Sequence, residues 1–211
     1  MKALALYEDL GAGVRLHTRI RAYTCPMDAL VARVPREGRM LEVGCGHGLF
    51  ANEAALSRPA LRVLGVDLSP SKIAWAARTA AGRDNVEFRV QPVGEVPETA
   101  FDAVAVVDVL YLVPRAEWPE FLRACRLRLR AGGRLLLKEM ALRPRWKLYR
   151  CVMQEMLSVR LLGITHGHAF AFEPEERMRA LLADAGSETA AVTRLDRGYL
   201  TPHLLYEAVA T

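Results

Sequence analysis

The chain has 211 residues, 52% hydrophobic and 25% charged, which suits one domain with a full core and excludes a disordered chain. Its formal net charge of +5 comes mainly from scattered arginines, without a long basic run carrying interleaved aromatics, so nucleic acid is not an expected partner. There is no run of eighteen apolar residues, so no transmembrane helix is expected. The first thirteen residues hold one Lys and then Glu8 and Asp9, and read as the start of a mature protein rather than a signal peptide. Cys25, Cys45, Cys125 and Cys151 form no C-x-x-C pair, and reduced thiols in a cytoplasm are expected.

Residues 15–34 show helical spacing with Pro26 near the middle, which predicts two short helices or one that breaks there. A first strand is expected over 39–43 and a helix over 48–57. A second strand over 61–66 ends at Asp67. Ser69 then reads as an N-cap with Pro70 at the first helical position, and Ile73, Ala76, Ala77 and Ala80 supply that helix's buried face. Residues 85–90 read as a third strand, and the apolar run FDAVAVV (101–107) as a central parallel strand buried on both faces. A helix follows near 115–129, then a turn over 130–133 and a fifth strand over 134–139. Residues 144–163 read as a basic, apolar helix, 164–172 as a loop, and 173–185 as a helix stopping at Gly186. Two β-rich segments, 188–195 and 203–210, close the chain as a hairpin. This order predicts an α/β fold: a doubly wound, mostly parallel seven-stranded sheet with an antiparallel C-terminal strand and a helical cap. One domain over 1–211 is expected, with N-terminal helices (about 1–36) and an insertion (about 143–172) capping the site.

The stretch LEVGCGHGLF (41–50) places three glycines at alternate positions between a strand and a helix. A P-loop would need G-x-x-x-x-G-K-[ST], and no Lys or Arg lies between Gly44 and Phe50. The dinucleotide fingerprint G-x-G-x-x-G would need a third glycine where Leu49 stands. Asp67 ends the second strand, and adjacent first and second strands would present it to the same crevice as the glycines. A carboxylate there can accept both hydroxyls of a ribose. Glu42 and Asp67 flank a loop without a cation, which disfavours a pyrophosphate and suits a cationic or zwitterionic nucleoside. S-adenosylmethionine has that chemistry.

With LEVGCGHG, VLGVDLSP, FDAVAVVDVLYLVP and LRAGGRLLLKE, the chain resembles the class I (Rossmann-like) S-adenosylmethionine-dependent methyltransferases of small molecules, most strongly over residues 40–140. The resemblance implies that the backbone of Gly44, Cys45, Gly46 and Gly48 approaches the cofactor's methionine part and ribose. It implies that Glu42 orients the loop near the cofactor's amino group, that Asp67 binds the ribose, and that Leu68 packs on the adenine. Asp108 falls where the family lines the methionine moiety and the acceptor. The chain departs from the family's pattern after the third strand. Pro92 stands where many relatives have an acidic residue for the adenine amino group, which leaves Gln91, the Val93 backbone or Glu95 to replace it.

Methyl transfer from a sulfonium needs alignment and water exclusion more than a dedicated base. Family resemblance therefore names no catalytic residue. Acceptor-side candidates are Tyr111, Glu155, His166 and His168, and His17, Arg19 and Tyr23 could form part of a lid. No metal is expected. The insertion RPRWKLYRCVMQEMLSVRLLG is apolar around more than one face, which points to a small lipophilic or aromatic acceptor and allows weak contact with a membrane surface. A monomer or homodimer is expected. The competing readings are an NAD-dependent oxidoreductase and a non-catalytic binding or scaffold protein.

Overall fold

The computed structural model describes residues 1–142, Trp146, Tyr149 and 173–211. Apart from Trp146 and Tyr149, the expected helix over 144–163 and loop over 164–172, with Glu155, His166 and His168, lie outside the described residues. Seven strands form one sheet: β1 (Glu37–Val43), β2 (Ala60–Asp67), β3 (Val86–Val90), β4 (Phe101–Val107), β5 (Leu129–Met140), β6 (Ser187–Arg194) and β7 (His203–Ala210). Their order is β3-β2-β1-β4-β5-β7-β6. Neighbours from β3 to β5 pair in parallel, and β7 runs antiparallel between β5 and β6. The chain lays β2 and β3 on one side of β1, then reverses to lay β4 and β5 on the other. That reversal opens a crevice at the carboxyl ends of β1 and β4.

Helices cover both faces: α1 (Ala12–Thr24), α2 (Met27–Val31), α3 (Leu49–Ser57) and α4 (Pro70–Thr79), then α5 (Trp118–Arg128) and α6 (Glu175–Asp184). One core joins Val14, Leu30, Phe50, Ala54 and Ile73 to the sheet residues Met40, Val63, Ala103 and Ala105. The other joins Trp118, Leu122, Met178 and Leu182 to Leu41, Val104, Val106 and Leu137. Alternate residues of β4 thus enter opposite cores, which is why its sequence reads as a continuous apolar run. A short 3-10 turn, Ala3–Tyr7, precedes α1 and packs Tyr7 into the first core.

Three local expectations need correction. Ala77 is exposed; the buried arc of α4 is Ile73, Ala76 and Thr79, with Ala80 half-buried. The arc follows three-residue spacing, and Ala77 lies about 100° around the helix from Ala76, on its solvent flank. The turn expected over 130–133 is instead a bulge inside a strand that already begins at Leu129. Leu129 pairs with Phe101 and Arg134 with Ala103, so β5 spends more chain than β4 between the same two rungs. β1 begins at Glu37, two residues before the expected start, because Glu37 already pairs with Ala60. Ser69 does cap α4, its hydroxyl accepting from the Lys72 amide at 3.4 Å.

Leu182, fully buried on α6, tests the second core. Leu182→Ala is expected to lower unfolding free energy by about 2–5 kcal/mol in urea titrations. A loss under about 1 kcal/mol would show that this helix does not support the sheet.

Candidate functional site

The loop from β1 to α3 turns through Gly44, Gly46 and Gly48, all with positive φ (+73°, +55° and +79°). The three glycines serve different ends. A Cβ on Gly44 would collide with Val109, and one on Gly48 would come within 2.5 Å of the Phe88 ring. Those two make room for the protein's own packing. Gly46 alone faces open space, with nothing within 4 Å of where its Cβ would be. It is the point at which a ligand can approach the backbone.

Side chains lock the loop in place. The amides of Gly44 and Cys45 both donate to the Val66 carbonyl, at 2.7 and 3.0 Å. The Cys45 thiol is buried, so this residue offers a ligand little beyond its backbone. Glu42 Oε2 accepts from the Ala51 amide at 2.9 Å, in the first turn of α3. Burial pushes the Glu42 carboxyl up to about 8, with the nearby Asp67 charge adding to the rise and the Ala51 amide and Arg21 opposing it. Asp67 spans the crevice edge: Oδ2 accepts from Gly46 N at 2.8 Å and Oδ1 from Ser69 N at 2.9 Å. Each oxygen retains acceptor capacity for a diol. Next to it, Leu68 is 71% exposed, an apolar surface in water. Gln91 turns inward on its own segment, Nε2 donating to the Glu95 carbonyl at 2.5 Å. Val93 buries its side chain in the second core, which leaves its backbone as the part that could meet a base.

Asp108 follows β4 in the left-handed region, with φ +58°. Its Oδ2 accepts from Arg21 Nη1 at 2.5 Å, and its Oδ1 from Lys138 Nζ. Burial alone would raise the Asp108 carboxyl, but Lys138 and Arg21 beside it hold it well below the usual carboxylate range. Arg21 also donates through Nη2 to the Val107 carbonyl at 3.1 Å, which pins α1 across the carboxyl end of β4. Two cations thus share one anion. Lys138 is 1% exposed and sealed in, whereas the Arg21 side chain remains 30% exposed.

Neighbouring buried groups steady this corner. Glu139 Oε1 accepts from Leu110 N at 3.0 Å and holds the turn that carries the half-buried Tyr111. Burial, and then the Asp108 charge, push Glu139 up to about 8. His203 Nε2 lies 2.7 Å from the Thr24 carbonyl, joining the end of α1 to β7, and burial brings its pKa down to about 3. His17 packs its ring against His47 of the glycine loop, with centroids 4.9 Å apart. Tyr23 is 83% exposed, and Arg19 is exposed as well. Of the lid candidates, His17 therefore meets the loop, and Arg21 was missed. Their four-residue spacing puts His17 and Arg21 on one helix face, and that phase was the available signal. Lys138 could have been noticed as a cation ending the apolar run LLLKE.

Residues 40–133 match the family model described as a methyltransferase domain. These residues form a domain of the methyltransferase family. Within that family, the ubiquinone biosynthesis O-methyltransferase of Xanthomonas campestris pv. campestris is 31% identical over 155 residues, covering 71% of this chain and 63% of that protein. Its counterpart from Xanthomonas axonopodis pv. citri is 30% identical over 164 residues, covering 75% and 66%. This methyltransferase chain thus aligns with somewhat less than two thirds of these relatives' length. The fold resembles that of magnesium protoporphyrin IX methyltransferase from Synechocystis PCC 6803, solved with S-adenosylhomocysteine (TM-score 0.69, 22% identity, 98% of this chain and 91% of that one). It also resembles the [4+2]-cyclase SpnF (TM-score 0.67, 18% identity, 87% and 80%). At such identities the likeness concerns the fold alone.

The raised carboxyls give the methyltransferase chain a pH signature. Glu139 titrates near 8 in the folded chain against an ordinary 4.5, so between those values the native state keeps a proton that the unfolded state has released. Its contribution to stability is complete below the lower value and is lost as pH rises through the upper one. Glu139→Gln keeps an acceptor for Leu110 N without titrating. Wild type is therefore expected to lose stability relative to this variant as pH rises from about 5 to about 8, measured by urea unfolding. Parallel curves would refute the buried proton.

Proposed function

We propose that the protein transfers the methyl group of S-adenosylmethionine to a small lipophilic or aromatic acceptor and releases S-adenosylhomocysteine. The observation that carries this reading is Asp67 bridging the amides of Gly46 and Ser69, beside the one glycine of the loop that faces open space. A ribose diol suits that carboxylate, and the exposed Leu68 beside it suits an adenine face. The loop carries no cation for a phosphate, and Arg21 supplies charge at the other end of the crevice, where a methionine carboxylate would lie. Asp108 is already matched by Lys138, so Arg21 has charge to spare for a ligand. An NAD-dependent oxidoreductase is disfavoured by Leu49 and by β7, the antiparallel strand inside the sheet.

In the reaction the acceptor atom attacks the methyl carbon in line, the carbon–sulfur bond breaks, and its electron pair stays on the now neutral sulfur. A protonated nucleophile gives up its proton as the bond forms. Alignment and water exclusion are the protein's main tasks. Exposed apolar side chains on separate elements favour a lipophilic acceptor: Ile20 and Tyr23 on α1, Leu112 after β4 and Leu200 before β7. The relatives named above as ubiquinone biosynthesis O-methyltransferases point the same way. Cys25, Cys45 and Cys125 are free and buried, which favours a reducing, cytoplasmic setting. Among the described residues no helix is long and apolar enough to cross a membrane.

Calorimetry with S-adenosylhomocysteine tests the cofactor half. Binding is expected for wild type, weakened about 30-fold or more by Asp67→Ala, which removes charged hydrogen bonds to the ribose. No wild-type binding at millimolar ligand would sink the proposal. Transfer of a labelled methyl group to a panel of phenols, quinols and polar metabolites tests the acceptor half. Turnover confined to highly polar acceptors would overturn it.

A further inference from the structure

We infer that Tyr7 is a positioning residue for the cofactor loop, so that the N-terminal segment, which precedes the region matching the family, belongs to the cofactor-binding machinery. This rests on the functional reading above and names a residue that sets the geometry of the same site.

The Tyr7 side chain is 1% exposed, and its hydroxyl stands between the loop and α3. It donates to the His47 carbonyl at 2.7 Å and accepts from Asn52 Nδ2 at 2.9 Å. The directions are forced. An amide nitrogen can only donate, so the tyrosine oxygen must accept from Asn52 and spend its single proton on His47. The same Asn52 nitrogen donates to Thr79 Oγ1 at 2.7 Å, and Thr79 donates to the Ala76 carbonyl at 2.6 Å. Asn52 Oδ1 accepts from Arg83. Asn52 is fully buried, so the relay runs inside the core from α4 to the loop. Burial raises the Tyr7 phenol above its ordinary range, so it stays protonated and remains a donor. The segment is fastened a second time one residue along α3, where the Ala3 amide donates to Glu53 Oε2 at 2.7 Å.

The bond matters because of where His47 sits. It lies between Gly46 and Gly48, both at positive φ, and glycines on each side leave a peptide plane easy to rotate. Two bonds fix the His47–Gly48 peptide: the carbonyl to Tyr7, and the Gly48 amide to the Cys45 carbonyl at 2.9 Å. On the other side Asp67 holds the Gly46 amide. The loop is thus gripped by Asp67 from β2 and by Tyr7 from the N-terminal turn, with the ligand-facing backbone of Gly46 between them. Loss of the phenol hydroxyl leaves a loop carbonyl without its partner and one grip released.

The test is calorimetry with S-adenosylhomocysteine on the full chain carrying Tyr7→Phe, well below its unfolding temperature. The dissociation constant is expected to rise about tenfold, with kcat at saturating cofactor and the acceptor KM unchanged. Leu182→Ala, in the other core, serves as a control for general destabilisation. A Tyr7→Phe constant within twofold of wild type overturns the inference, as does an equal rise in the Leu182→Ala control. Should Tyr7→Phe fail to fold, Thr79→Val breaks the relay one step further out; an about threefold weaker constant supports the inference and an unchanged one overturns it. If wild type itself does not bind the ligand, the functional reading fails. If wild type binds and the Tyr7 variant binds equally, only the role of Tyr7 fails.

Discussion

The carboxylate of Asp108, buried between Arg21 and Lys138, is the interaction on which the geometry of the crevice depends. It joins three separate pieces of chain: α1, the end of β4 and the end of β5. A buried charge is tolerable only when paired, and stranding one typically costs about 3–5 kcal/mol. Lys138 in the sheet interior therefore requires Asp108, and Asp108 held in the left-handed region directs the following turn past the glycine loop. Arg21 then draws α1 down onto the same point. One electrostatic requirement closes the open end of the sheet with an N-terminal helix and leaves a partly exposed guanidinium at its edge.

The glycine loop divides its work in a way the motif conceals. Two of its three glycines exist for Val109 and Phe88, the protein's own side chains, and one faces the crevice. Asp67 likewise has two duties. Its oxygens hold the loop and the start of α4 while keeping capacity for a diol. The same groups that could bind a nucleoside thus also hold the two turns together, and the crevice is shaped before any ligand arrives. Such preorganisation lowers the ordering cost of binding.

The fold limits the chemistry without choosing it, as a cyclase with the same architecture shows. What favours methyl transfer is the pattern of charge: the Asp67 carboxylate on the glycine side, an arginine at the far end and no Lys or Arg among the glycines. That pattern matches a zwitterionic sulfonium better than a phosphate.

The succession of strands and helices, the glycine loop and the placing of Asp67 beside it were legible from the residues alone. They rest on local patterns: period-two burial, apolar runs, glycines before a helix and an acid at a strand end. A short-range preference needs no partner from elsewhere to be read. Arg21, Lys138 and Tyr7 were not read, although all three are plain in the sequence as residues. Arg21 pairs with an aspartate 87 positions away, and Tyr7 bonds a carbonyl 40 positions away. Nothing local marks either partner. Ala77 and the bulge in β5 failed for the same reason, since a neighbouring element decides which flank of a helix is covered and which rungs of a ladder align. The sequence by itself determined the sheet, its loop and the class of nucleoside the loop suits. Only the tertiary structure decided which charges meet, which glycine is open and how the N-terminal segment holds the site, because those depend on distances between residues that the chain keeps far apart.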